Sequence, residues 1–526
     1  MRKAVVGTKT MVVSPHYLAS AAGARILEQG GNAFDAAVAV SACLAVVYPH
    51  MTGLGGDSFW LTYHHSDGQV RGYNASGRSG YRANREVYAG RIEIPTRGVL
   101  SVVTVPGMVD GWDAMLREYG RLTLGQVLAP AIEYASKGFA MSRNQYEYTV
   151  MNEAMLRGTA PTSAIYLPEG RIVKPGRRFV QAELAQTLRE LAQHGRDFFY
   201  KGAIAEEMTS YLQEQGGLLV MDDFADHEGN WVTPLQGSYR GYSVYQMPPN
   251  SQGFVGLMAL HILENFDLGS MEHGSFEYYH SMIEALKLGF RDRNEYLTDP
   301  DFADIPLHRL LSQEYARELA ASIRMDRALS LEAEQMGSDT AYAAVVDQEG
   351  NAVSFIQSLY FEFGSGVTAG NTGITLQNRG SFFSLNPAHA NCLQPRKRTF
   401  HTLMPAMACR EGKPVILYGT QGGEGQPQTQ TAILTRMVDF GMDPQQAVDE
   451  PRWVWGRTWG ASTQDLRVEG RISPEVTEAL AKAGHTVRKV KDFDGIMGHA
   501  HVIMVDEEGF ISGGSDARSD GAAIGW

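Results

Sequence analysis

The sequence predicts a mixed α+β fold in which a helical lobe lies against a sheet core. Three observations carry that reading: a run over 34–47 that is apolar nearly all round, a series of amphipathic helices over about 107–235, and a change at residue 340 from a charged loop to short β-prone segments. Residues 15–48 read as two helices broken at Gly30-Gly31-Asn32, a natural helix stop. The second has no polar face to offer water and should be buried. A glycine-rich turn over 53–56 leads into an alternating strand at 58–63. Within the helical lobe Leu184, Leu188 and Leu191 recur at helical spacing. The stretch 315–339 is polar and ends Met336-Gly337-Ser338-Asp339; 340–346 then reads as a strand of small residues, 347–351 as a turn and 352–360 as a second strand. There is no internal repeat.

Composition narrows the function. Hydrophobic residues make up 44% and charged residues 20% of 526, an ordinary globular balance with ample material for a core, and a length that suggests several domains. A net charge of -13 disfavours nucleic acid, because phosphate binding needs a basic surface. The longest apolar run, 36–47, contains a serine and is too short to span a bilayer. No signal-like apolar stretch opens the chain, so a cytoplasmic location is expected. Cys43, Cys392 and Cys409 form neither a metal pattern nor an even-numbered disulfide framework; Cys43, in the apolar helix, reads as core.

Thr340 is the first residue with chemical promise. A threonine hydroxyl needs a base, and an N-terminal threonine carries one in its own α-amine, which titrates near roughly 7.7–8.0. An internal residue has no free amine, so the bond between Asp339 and Thr340 must break first; the Thr340 hydroxyl can attack the Asp339 carbonyl and leave an ester for water to cleave. A second segment, Tyr418-Gly419-Thr420-Gln421-Gly422-Gly423-Glu424-Gly425, follows a strand at 415–418 and precedes a helix at 429–440. Its paired glycines let backbone N–H groups approach a developing oxyanion. The spacing fits neither nucleotide-loop pattern. Glu424, on this loop, is expected to face water. His499 and His501 lack partners at ligand spacing, so no metal and no cofactor is expected.

The chain resembles the γ-glutamyltransferase family over nearly its whole length. The motifs include Met11-Val-Val-Ser-Pro-His, Gly30-Gly-Asn-Ala-Phe-Asp-Ala-Ala-Val, Pro49-His-Met-Thr-Gly-Leu-Gly-Gly-Asp, Val105-Pro-Gly, Pro248-Pro-Asn-Ser-Gln-Gly, Glu284-Ala-Leu-Lys, Asp339-Thr-Ala-Tyr, Gly350-Asn-Ala-Val-Ser, Phe363-Gly-Ser-Gly and Asp516-Ala-Arg-Ser-Asp-Gly. The resemblance implies a four-layer αββα N-terminal-nucleophile (Ntn) hydrolase sandwich. It also implies a precursor cut into a large fragment, 1–339, and a small catalytic one, 340–526, that remain associated. By motif position Thr340 matches the nucleophile, Ser358 a supporting hydroxyl, and Gly422 and Gly423 the oxyanion glycines.

The recognition positions depart from the family pattern. Arg78 matches the arginine that clamps a substrate carboxylate, but lacks the proline that usually follows. The acidic residue that would pair with a substrate ammonium is replaced by Phe382, an asparagine by Tyr360, and a serine pair by His401-Thr402; Arg379 lies in the same Gln-Asn-Arg-Gly segment. Arg78, Tyr360, Arg379, His401 and Thr402 are therefore the expected substrate-binding residues. The expected function is self-processing hydrolysis, or transfer, of γ-glutamyl-type or other small carboxylate-bearing amides such as glutathione. Oxamate amidohydrolase, a cephalosporin acylase-like amidase and a non-catalytic binding protein are the alternatives. The partners expected are a small amide and the two fragments of one precursor, with a homo-oligomer left open.

Overall fold

In a computed structural model describing residues 2–331, 340–456 and 463–526, two seven-stranded sheets face each other and each is covered on its outer side by helices. One sheet runs Val5–Gly7, Ile511–Ser515, Ala500–Val505, Lys413–Thr420, Ala406–Arg410, Tyr242–Gln246, Leu235–Tyr239. The other runs Ala522–Gly525, Met11–Ser14, Ala341–Val346, Ala352–Ser358, Asp57–His64, Gln69–Ala75, Asn230–Val232.

Side-chain alternation explains the layering. Ala341, Ala343 and Val345 pack with the helices Tyr17–Glu28 and Ala33–Val47. Tyr342, Ala344 and Val346 point the other way, joining Phe59, Leu61, Met407 and Leu417 between the sheets. A strand covered on both faces reads as a continuous apolar run, which is why no alternation shows in its sequence. The outer face of the other sheet is covered by Gly253–Leu263, Phe276–Tyr296 and Gly425–Val438. A Cβ on Gly419 would fall 2.2 Å from the Tyr342 ring, so the close approach of the two sheets requires glycine there.

The two expected N-terminal helices are present, with Gly30 between them at φ +90°. Asn32 caps the second helix and Asp35 completes a capping box, and every residue of that helix is buried. The Asp57–His64 strand is one residue longer at each end than expected. The strand after the turn stops at Ser358, because Tyr360 turns the chain with a φ of 87°. The helical lobe ends with Met221–Ala225; beyond it the expected helical stretch becomes strand, Asn230–Val232 and Leu235–Tyr239, which form edges of the two sheets. The helix expected at 429–440 begins earlier, as Gly425–Val438. Cys43, Cys392 and Cys409 are free and buried. No helix among the described residues is long and apolar enough to cross a membrane.

Candidate active site

The sheet that contains Ala341–Val346 brings three polar residues to neighbouring strand ends. Ala341 pairs with Gln357 and Ser358 pairs with Asp57; one further step along the first register sets Thr340 beside Ser358. Continued alternation turns Thr340, like Tyr342, toward the layer between the sheets. Thr340 is buried, and its hydroxyl has no hydrogen-bond partner among the described residues. Such a group costs about 1–3 kcal/mol and needs a functional reason. The Ser358 hydroxyl accepts the Tyr360 N–H at 2.7 Å. Asp339 lies outside the described residues.

The glycine loop leaves the end of Lys413–Thr420, where the Gln421 N–H donates to the His499 carbonyl at 3.1 Å. Gly422 and Gly423 have φ of 131° and 50°, both in the left-handed half of the map that favours glycine. Their carbonyls accept from Gly425 N–H at 2.6 Å and Gln426 N–H at 3.1 Å. Among the described residues neither glycine's own N–H is engaged. A brace holds the loop. Gln252 Nε2 donates to the carbonyls of Gly423 (3.1 Å) and Thr402 (2.9 Å), and Arg293 donates to Gln252 Oε1 (2.9 Å) and Glu424 Oε1 (2.8 Å). Glu424 is therefore not a water-facing loop carboxylate: it is 4% exposed and ion-paired inside the protein. Its partner lies 131 positions away, beyond the reach of local sequence reading.

Two of the residues expected to bind substrate, His401 and Arg379, lie near Asp57. Asp57 is fully buried; its Oδ1 accepts the N–H groups of Gly107 (3.0 Å) and Gly77 (3.2 Å). Its Oδ2 lies 3.2 Å from His401 Nε2, close enough for an ion pair but outside hydrogen-bond alignment. Burial first, and the Arg379 charge second, push the His401 pKa down to about 4, so the ring is neutral near pH 7. Arg379 is 1% exposed, and none of its three guanidinium nitrogens has a hydrogen-bond partner among the described residues. Burial pushes its pKa down to about 10, which leaves it cationic. The guanidinium sits 4.3 Å from the Tyr360 ring centre and 5.2 Å from that of Phe382. Tyr360 stacks on Phe382 at 4.2 Å, and Phe382 meets Phe400 at 4.6 Å. Thr402 is buried and held through its carbonyl.

Arg78, the residue expected to clamp a carboxylate, is ion-paired to Asp299 (3.0 Å) and Asp301 (2.7 Å) and donates to the Arg396 carbonyl (3.2 Å). Asp57 and Gln252 were not expected at the site, although each stands in a motif that reading the sequence singled out, Gly-Gly-Asp and Asn-Ser-Gln. His499 is buried with Nδ1 2.6 Å from the Tyr48 hydroxyl, and His501 is buried beside it.

The four-layer fold is that of the N-terminal-nucleophile hydrolases. The crystal structure of a cephalosporin acylase from Bacillus halodurans superposes with a TM-score of 0.93 at 36% identity, covering 100% of this chain and 97% of that one. The family model described as gamma-glutamyltranspeptidase matches residues 19–526, and the chain belongs to that family of enzymes. It is 62% identical over 525 residues to the glutathione hydrolase-like YwrD proenzyme of Bacillus subtilis (strain 168), with 100% of both chains covered. It is 40% identical over 531 residues to the oxamate amidohydrolase proenzyme of Klebsiella pneumoniae subsp. pneumoniae, again with 100% of both covered.

Proposed function

We propose that the chain is made as a precursor, divides itself between Asp339 and Thr340, and then uses Thr340 to hydrolyse small amides whose acyl part carries a carboxylate. The observation that carries this reading is the presence of two buried groups without hydrogen-bond partners among the described residues: the Thr340 hydroxyl, and the Arg379 guanidinium in the field of Asp57. In the first reaction the Thr340 oxygen attacks the Asp339 carbonyl, the peptide nitrogen leaves as an amine, and water cleaves the resulting ester. That amine then takes the hydroxyl proton as Thr340 attacks the substrate amide. The N–H groups of Gly422 and Gly423 receive the oxyanion, the protonated amine or ammonia departs, and water releases the acid from the threonine ester.

Arg379 supplies a fork for the acyl carboxylate. Where a free α-ammonium would need an acidic partner, Tyr360, Phe382 and Phe400 present aromatic carbon, and the Arg379 charge adds repulsion. Oxamate, a carboxylate-bearing amide without an amine, fits these terms, and the relative that shares 40% identity is named for it. Hydrolysis of γ-glutamyl compounds is the second reading, favoured by the name of the relative that shares 62% identity.

A denaturing gel of purified protein should show two bands, with sequencing placing a new terminus at Thr340. Thr340→Ala should remain one chain without activity; a wild-type chain that never divides refutes the proposal. Ammonia release from oxamate should exceed glutamate release from glutathione. Rapid turnover of γ-glutamyl amides that depends on their free amine would reverse the assignment of Phe382.

A further inference from the structure

The Phe276–Tyr296 helix carries the motif Glu284-Ala-Leu-Lys287, which the chemistry above does not use. Glu284 and Lys287 are buried and joined at 2.8 Å. The second Glu284 oxygen accepts the Leu329 N–H at 2.6 Å, and Lys287 Nζ donates to the Leu329 carbonyl at 3.1 Å. His280 Nε2 lies 2.9 Å from the Arg324 carbonyl and its Nδ1 lies 2.9 Å from His485 Nε2. The Ala328 N–H donates to the Ala483 carbonyl at 2.6 Å. Residues 324–327 of this arm are exposed. Polar groups therefore hold the arm 324–329 at Arg324, Ala328 and both backbone groups of Leu329.

His280, Glu284 and His485 also bring their ligand atoms within 4.8 Å of one another, a spacing that a metal could use. The Lys287 ammonium decides against it. It lies 2.8 Å from Glu284 and 3.5 Å from His485 Nδ1, supplying the positive charge a cation would bring.

We infer that this cluster is a clasp that presents the upstream arm for division at Thr340, its residues acting as positioning groups. The inference rests on the processing reading above. Self-cleavage is unimolecular, and its rate depends on how often the carbonyl and hydroxyl meet in reactive geometry. Anchoring the chain at Leu329 fixes a point eleven residues ahead of Thr340 and so reduces the number of arrangements to be searched before the reacting groups meet. The clasp also spans both sides of the division, since His485 and Ala483 lie downstream of Thr340 while the helix and arm lie upstream.

The test uses full-length chain made by cell-free synthesis, with conversion followed on a denaturing gel and hydrolysis measured per new Thr340 terminus. Glu284→Gln/Lys287→Met removes both buried charges together, so neither is stranded. Leu329→Pro removes the arm's N–H together with the Leu329 side chain, which packs on the core, and leaves the helix sequence unchanged. Both variants should convert about tenfold or more slowly while kcat and KM per divided molecule stay within about twofold of wild type. Lys287→Arg, which keeps a donor, should convert faster than Lys287→Met. Wild-type conversion in both variants overturns the clasp, as does an equal fall in conversion and in kcat per divided molecule. If the double variant does not fold, Leu329→Pro decides alone. A wild-type chain that never divides removes the processing reading and the clasp with it, whereas clasp variants that keep pace with a dividing wild type remove the clasp only.

Discussion

A guanidinium buried at 1% exposure without hydrogen-bond partners among the described residues has lost its hydration and recovers only part of it from the Tyr360 and Phe382 rings, which leaves a deficit. A substrate carboxylate would offset that deficit with two parallel charge-assisted bonds. Stability and binding therefore pull in opposite directions at Arg379. Arg379→Met should raise the melting temperature or leave it unchanged, while KM rises by roughly 30- to 150-fold, the equivalent of about 2–3 kcal/mol for a hydrogen bond to a charged group. Thermal melts beside steady-state kinetics check this; a lower melting temperature with unchanged KM would make Arg379 a structural residue. Phe382→Asp should bring measurable turnover of γ-glutamyl amides, since it places a carboxylate where an ammonium lacks one. Thr340 and the Gly422-Gly423 pair, the proposed nucleophile and oxyanion groups, stood out in the sequence because they sit at the junctions of elements, where composition changes abruptly. The proposed carboxylate clamp, Arg379, did not stand out in the same way. The motif pointed to Arg78, and only the fold reveals that it is ion-paired to Asp299 and Asp301.

Among the elements, the brace behind the glycine loop gives the clearest consequence. Arg293 lies on one helix, Gln252 at the start of another, and Glu424 caps a third; together they fix the Gly423 and Thr402 carbonyls. Arg293→Met removes a buried cation from beside Glu424 and a donor from Gln252, and should lower the melting temperature. Adding Glu424→Gln, which takes away the carboxylate charge, should restore part of that stability. It should not restore kcat, which is expected to fall about 10- to 100-fold in both variants because the loop N–H groups lose their fixed aim. Recovery of kcat together with stability would show that the brace does not position the loop. The strands and helices themselves were largely legible, since apolar runs and glycine stops follow from local sterics. Their ends were not: the strand that stops at Ser358 does so because Tyr360 turns to meet Phe382, a contact between residues far apart in the chain.

The whole molecule should be sensitive to acid. Burial lowers the pKa of His16, His50 and His501 to about 3 and of His401 and His499 to about 4. Unfolded histidine titrates near 6.5, so between that value and the folded pKa the unfolded chain binds more protons. Stability then rises with pH across this window; it is fully present above 6.5 and is lost as pH falls toward 4. Each histidine contributes about 1.4 kcal/mol per pH unit there. Melting temperature should drop steeply between pH 6.5 and 5 and be nearly flat from 7 to 8; a flat profile down to pH 5 would contradict the burial of these rings.

The Ala341–Val346 strand has Met11–Ser14 on one side and Ala352–Ser358 on the other, and both sheets combine strands from before and after residue 340. A nick ahead of that strand severs the polymer without creating two bodies, because each half is missing ribs that only the other possesses. Expressed from separate messages, either half would display open hydrogen-bonding edges and tend to self-associate before meeting its complement. If the chain divides ahead of Thr340 as proposed, the single reading frame would serve as a folding template that is needed only until both sheets have been woven.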